Sequence, residues 1–188
     1  REEAQPLVTV ITPLFNAQNY IAQTIESVIS QTYQNWELII VDDCSTDNSI
    51  EIVKAYESKD RRVKLVELKS NFGGPAKPRN IGIDISKGDY LAFLDADDVW
   101  LKDKLQVQVR EMRLNNLDFT STDSKFIDTN SNDTTINKYK ITAFFKKIKS
   151  KEKLSDVIKG NFIRTSSVII SRNLISIFDE NKDFIGVE

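Results

Sequence analysis

The chain contains no histidine. That absence removes Ser-His-Asp and Cys-His nucleophile systems at once, and it obliges any bound metal to take oxygen ligands. Cysteine is nearly missing too. Cys44 stands alone, so neither an internal disulfide framework nor an all-cysteine zinc site can form. Neither sign of charge dominates: 26 basic residues meet 28 acidic ones, which leaves no basic face for nucleic acid and no acidic tail. No run approaches the roughly 20 apolar residues of a membrane span. The start, "REEAQPLVTV", lacks the apolar core behind a basic end that marks a signal peptide. The expected setting is reducing and cytoplasmic. Charged residues open the chain and "NKDFIGVE" closes it without a capping signal, a pattern expected of an excised domain.

What is present is a core and a rhythm. Of 188 residues, 40% are hydrophobic, enough to bury the interior of one domain. "LVTVIT" (7–12) is a continuous β-branched run, as in a strand covered on both faces. After "PLFNAQN", Ile21, Ile25, Val28 and Ile29 recur at helical spacing. "WELIIVDD" (36–43) predicts a second buried strand, "STDNSIEIVKAYES" (45–58) a capped helix with Ile52, Val53 and Tyr56 inward, and "VKLVEL" (63–68) a third strand. A Gly/Pro-marked loop, "KSNFGGPAKP" (69–78), leads to a short helix, "RNIGIDIS", and "YLAFL" (90–94) predicts the fourth strand. Such alternation implies parallel strands joined by right-handed crossovers, an α/β sandwich whose ligands lie beyond the carboxyl ends of the strands. Polar residues gather at those ends: Pro13 to Asn16, Asp42 and Asp43, and Asp95 to Asp98. Past residue 100 the pattern loosens into a helix from about 101 to 114, a weak strand in "DFTSTDSKFID" (118–128), a polar loop (129–138), an ambiguous amphipathic stretch, and a strand within "RTSSVIISRN" (164–173) leading to a short helix, "LISIF".

The stretch "LAFLDADDVW" raises the chemical question, because a buried strand runs straight into Asp95, Asp97 and Asp98. Carboxylates repel one another and are costly to desolvate unless a positive charge joins them. In an extended chain, residues two apart share a face, so Asp95 and Asp97 would form an oxygen-lined nook for Mg²⁺ or Mn²⁺. The competing reading makes Asp97 or Asp98 the N-cap of the next helix. "VDDCSTD" has the same duality, with Asp43, Ser45 and Thr46 as helix caps, or Asp43 as acceptor for a base or ribose. Phe15 is a stacking face or a core aromatic. Lys77 and Arg79 meet phosphate oxygens or belong to a solvated loop.

Taken in order, "VTVITPLFNAQNYI", "QTYQNWELIIVDDCSTDNS" and "KPRNIGIDISKGDYLAFLDADDVWLKDKL" closely resemble the family 2 glycosyltransferases of the GT-A fold. The likeness covers residues 6 to 110, the nucleotide-sugar-binding half. Residues 111 to 188 fall in the acceptor-side half and add little beyond "SSVIISRN". The resemblance implies a single GT-A-type domain over 1–188, shortened at its C-terminal side, with a mostly parallel sheet flanked by helices on both faces. It implies a transferase that moves a sugar from a nucleotide donor, most often a uridine diphosphate sugar, to an acceptor hydroxyl with inversion. Pro13, Leu14, Phe15 and Asp43 match positions around the nucleotide's base, and Arg79 lies near the nucleotide. Asp95 and Asp97 match the Asp-x-Asp motif, Asp95 near ribose and metal and Asp97 directly on a Mn²⁺ or Mg²⁺ ion. Asn16 braces the turn. A saccharide or lipid-linked acceptor, polysaccharide assembly and work beside the inner face of a membrane are the roles implied. The family's base sits in a Glu-Asp pair; Glu188 matches its first member and no Asp follows. A chain with that departure is expected to bind donor and transfer sugar poorly. Two rivals are a catalytically silent nucleotide-sugar-binding domain and a phospho-acceptor receiver domain. The receiver reading expects its acid pair after the first strand, where Pro-Leu-Phe-Asn stands instead.

Overall fold

The computed structural model describes residues 4–123 and 164–174. In chain order they form β1 (Val8–Leu14), α1 (Ile21–Ile29), β2 (Trp36–Asp42), α2 (Ser49–Glu57), β3 (Val63–Glu67), α3 (Ala76–Ile85), β4 (Tyr90–Phe93), α4 (Lys104–Asn115), β5 (Phe119–Ser121) and β6 (Val168–Ser171). One sheet holds all six strands in the order β3-β2-β1-β4-β6-β5. β1 runs parallel to β2 and β4, and β2 parallel to β3, while β6 is antiparallel to both β4 and β5.

The continuous apolar runs give strands covered on both faces, and every residue of β2 is buried. On one face, Val8, Val10 and Leu14 of β1 and Leu38 and Ile40 of β2 pack against Ile21, Ile25 and Val28 of α1, Val53 of α2, and Leu105, Val109 and Met112 of α4. Each such side chain contributes about 1.5–3 kcal/mol on burial. The other face receives α3. A Cβ on Gly82 would come within 2.6 Å of Ile11 Cγ2, so this glycine is what lets α3 lie so close to β1. Helices thus cover both faces of a mostly parallel sheet, as expected.

Chain order decides where a ligand can sit. From β1 the chain steps outward to β2 and β3, then returns to place β4 on the other side of β1. The crevice between the carboxyl ends of β1 and β4 is therefore the topological switch point.

Several boundaries differ from expectation, each for a physical reason. β1 extends through Pro13 and Leu14, which pair with Val41 and Asp42. The Ile11 carbonyl accepts the Leu94 N–H at 3.0 Å, so odd residues of β1 face β4, and pairing with β4 ends at Ile11. The N–H that Pro13 lacks falls where that ladder has already parted. α3 starts at Ala76 rather than after Pro78, because a proline in the first turn forgoes only an N–H that has no helical partner. Lys77 and Arg79 are therefore helical residues, not loop residues. α4 begins at Lys104 rather than near 101, since the Leu101 and Lys102 carbonyls accept hydrogen bonds from Gln31 and Thr32 after α1. "LISIF" contributes only Leu174, the end of a 3-10 turn (Arg172–Leu174); its remainder, residues 124–128 of the expected weak strand, the polar loop (129–138), the amphipathic stretch after it, and Glu188 lie outside the described residues. Among the described residues no helix is long and apolar enough to cross a membrane.

Candidate functional site

The crevice has two walls. The first is built at the ends of β1 and β2. The Leu14 carbonyl accepts the Asp43 N–H at 2.8 Å, which carries the ladder one residue past β2. Asp43 is buried, and its two carboxylate oxygens accept the Phe72 N–H at 2.9 and 3.0 Å. Its carbonyl takes the Asn71 side-chain amide at 2.9 Å. The Asp42 carboxylate, also buried, accepts the Ser45 N–H at 3.0 Å through Oδ2. Neither Ser45 nor Thr46 caps α2, which starts four residues after Ser45. Both instead serve Asn16, whose N–H donates to Ser45 Oγ at 2.9 Å and whose Oδ1 accepts the Thr46 N–H at 2.8 Å. Asn16 adopts φ 48°, a left-handed turn that asparagine tolerates, so it does brace the corner.

Leu14 faces the core, whereas Phe15 is 52% exposed. The core-aromatic reading of Phe15 therefore fails. Phe72, held at Asp43 by its amide, is exposed to nearly the same degree at 51%. Two exposed phenyl rings thus stand on segments that bond Asp43 through their backbone or follow the residue that does. Phe72 was not singled out in the sequence, where "NFGG" reads only as loop.

The second wall follows β4. Here the extended-chain premise does not hold: the Asp98 N–H donates to the Asp95 carbonyl at 3.1 Å and closes a turn. Asp95 and Asp97 are therefore neighbours on a turn rather than alternate residues of a strand. Neither Asp97 nor Asp98 caps a helix, since α4 lies further on. Thr24 of α1 ties the turn down, its hydroxyl lying 2.8 Å from the Ala96 carbonyl and 2.9 Å from that of Asp98. On the other side, the Asp95 N–H donates to Ser166 Oγ at 3.0 Å and the Trp100 indole N–H to the Ser166 carbonyl at 2.7 Å.

Arg79 reaches across from α3 to bind Asp95 Oδ1 at 2.5 Å; the arginine is 9% exposed and the aspartate 33%. Arg79 Nε is buried without a partner. A buried unpaired donor costs about 1–3 kcal/mol, so this arginine is better explained by charge at the site than by stability. Asp97 is exposed, and no hydrogen bond or ion pair to its carboxylate is present among the described residues. Partial burial, then the charges of Asp95 and Asp97, push the Asp98 carboxyl above its ordinary range against a hydrogen bond from Ser166. The turn therefore concentrates negative charge, opposed by Arg79 and Arg164.

Behind this wall lies a buried lysine. Lys104 Nζ donates to Gln108 Oε1 at 2.6 Å and stands 4.2 Å from the centre of the Trp100 ring. Gln108 in turn donates to Thr120 Oγ1 and the Ser167 carbonyl, both at 3.1 Å. Burial lowers the Lys104 pKa to about 7.

Among the described residues, no three acidic or cysteine side chains gather closely enough to hold a metal alone. Two carboxylates on a turn suit a cation whose remaining ligands come with a phosphate-bearing substrate, since Mg²⁺ is commonly held by one or two carboxylates plus substrate oxygens.

The family model described as "Glycosyl transferase family 2" matches residues 9–171. An uncharacterized glycosyltransferase of Haemophilus influenzae is 40% identical over 172 residues, covering 92% of this chain and 65% of that protein. The UDP-Glc:alpha-D-GlcNAc-diphosphoundecaprenol beta-1,3-glucosyltransferase WfgD of Escherichia coli is 40% identical over 126 residues, covering 66% of this chain and 48% of that protein. Among solved structures, S. aureus TarS 1-349 in complex with UDP-GlcNAc aligns with a TM-score of 0.62 and 31% identity, over 66% of this chain and 36% of that one. The chain spans less than two thirds of the length of each.

Proposed function

The chain belongs to glycosyl transferase family 2 and has the GT-A fold, and from that premise we propose that it transfers a sugar from a uridine diphosphate donor to an acceptor hydroxyl, with inversion and with the help of a divalent cation. The observation that carries this reading is the pairing at the second wall. Asp95 is held by Arg79, while Asp97 beside it has no hydrogen bond or ion pair among the described residues. A carboxylate left open next to a charge-balanced one is the arrangement expected where a Mn²⁺ or Mg²⁺ ion arrives with a diphosphate.

Asp97 and Asp95 would hold that ion, which when bound acts as a Lewis acid toward the departing diphosphate. Arg79 adds fixed positive charge on the same side. At the first wall, Phe15 offers its exposed ring to the base, and Asp43 and the backbone of Pro13 and Leu14 form the rim around it. The uridine preference is supported by the UDP-sugars in the names of WfgD and the TarS complex. Inversion requires a carboxylate base opposite the leaving group. Glu188 is the position that matches the first member of the Glu-Asp pair, and the acceptor is a saccharide or lipid-linked saccharide. The receiver-domain reading finds no support, as its acid pair is missing after β1 and Pro13 and Leu14 complete that strand.

The test is a titration of uridine diphosphate with and without Mn²⁺, in the unmodified chain and in Asp97→Ala. Mn²⁺ should tighten binding at least tenfold in the former and have no effect in the latter. Undiminished metal dependence in Asp97→Ala would mean that the ligand to the ion has been misassigned.

A further inference from the structure

We propose that Ser166 is a positioning residue for the acidic turn, fixing from the antiparallel side of the sheet where Asp95 and Asp97 stand. The inference rests on the metal-assisted donor binding proposed above and adds a residue that does not touch the donor.

The reason starts in the register. β4 and β6 pair antiparallel with Tyr90 opposite Ser171, Leu91 opposite Ile170 and Ala92 opposite Ile169. Carried three residues beyond the last pair, that register sets Asp95 opposite Ser166. The strands have ended there, and a 3-10 turn (Thr165–Ser167) leads into β6, so no regular backbone bond joins the two segments. A side chain replaces it. Ser166 Oγ accepts the Asp95 N–H at 3.0 Å. The Ser166 carbonyl accepts the Trp100 indole N–H at 2.7 Å. One residue therefore engages the first position of the turn and the aromatic that follows it.

The neighbouring serine has a different task. Ser167 Oγ donates to the Arg164 carbonyl at 2.6 Å, and its own carbonyl takes Gln108. Ser167 closes the 3-10 turn and ties it to α4, whereas Ser166 faces the acidic turn. With Thr24 gripping the Ala96 and Asp98 carbonyls from α1, the turn is held from two sides and only its tip, Asp97, is left open. Carboxylates that must meet a cation and a diphosphate together gain from being fixed to within about 0.5 Å before the ligand arrives.

Ser166→Ala and Ser166→Thr separate positioning from general stability. The readout is the ratio of uridine diphosphate affinities with and without Mn²⁺, with thermal melting as the check on folding. Ser166→Ala should cut that ratio about tenfold, and Ser166→Thr, which keeps the hydroxyl, should restore most of it. A merely structural defect would weaken both affinities together and leave the ratio standing. If Ser166→Ala melts too low to assay, Ser166→Cys keeps the volume, replaces the hydroxyl with a poor acceptor, and should show the same fall. A full Mn²⁺ effect in folded Ser166→Ala or Ser166→Cys would overturn the role of Ser166 while leaving the donor-site reading intact. An absent Mn²⁺ effect in the unmodified chain would overturn both.

Discussion

The two walls of the crevice are built by different means. At the first, Asp42 and Asp43 are sunk in the sheet and engaged by the backbone amides of Ser45 and Phe72, so the β1–β2 corner is an anchor. At the second, Asp95, Asp97 and Asp98 ride on a short turn held by side chains: Arg79 from α3, Thr24 from α1 and Ser166 before β6. Two acidic clusters that look alike in sequence are thus held in different ways. Asp43 spends both carboxylate oxygens on a backbone amide and Asp42 one of its two, its buried Oδ1 having no partner, whereas a carboxylate balanced by one arginine, or by nothing among the described residues, keeps capacity for a ligand. The second wall thus leaves negative charge incompletely neutralised and supports it from outside.

The sharpest way to break that comparison is to remove the charge that Arg79 balances. Asp95→Ala leaves a buried guanidinium unpaired, and breaking a fully buried pair costs about 3–5 kcal/mol. Because Asp95 is one-third exposed, a loss of about 2 kcal/mol in urea unfolding is expected, and Asp95→Asn should recover part of it. Unchanged stability in Asp95→Ala would show that water already balances Arg79 and that the turn is not held by this pair.

A second, smaller effect concerns what lies behind the same wall. An unfolded lysine titrates near pH 10.4, while Lys104 in the fold titrates at about 7 because burial disfavours its charge. Between those values the unfolded chain holds a proton that the folded chain has released. Stability should therefore rise with pH, by about 1 kcal/mol per unit from roughly pH 7 to 10, and lose this dependence below pH 7. Lys104→Met should flatten the slope over that window. Denaturant unfolding at pH 7, 8 and 9 measures it, and equal slopes in both proteins would show that Lys104 stays charged over the Trp100 ring.

Much of this was legible in the residues. The β-branched runs and the intervening helical spacing gave β1 to β4 in order, because strands buried on both faces carry their signal in composition alone. Pro13 and Asp43 stand at the carboxyl ends of β1 and β2, Phe15 follows β1, and Arg79 is paired with Asp95 on the turn that carries Asp97. What could not be read was local geometry decided by distant partners. The turn at Asp95 depends on Thr24 and Ser166, which lie 71 and 71 residues away along the chain. The delayed start of α4 depends on Gln31 and Thr32. Ser166 carried a faint signal in "SSVIISRN", but only the antiparallel register places it opposite Asp95.

The smallest effect on folding tests the first wall, where the ligand rather than the fold should notice the change. Phe15 is half exposed, so its ring contributes little to the core, and Phe15→Ala should shift unfolding by no more than about 0.5 kcal/mol. If the ring stacks on a base, the same substitution removes an aromatic contact of about 0.5–1.5 kcal/mol, which weakens uridine diphosphate binding roughly two- to tenfold. On the proposed division, with the base at the anchor wall and the metal-bearing end at the acidic turn, that loss should be equal with and without Mn²⁺. An effect that appeared only with Mn²⁺ would mean that the two walls do not divide the donor in this way, and that Phe15 acts through the turn opposite.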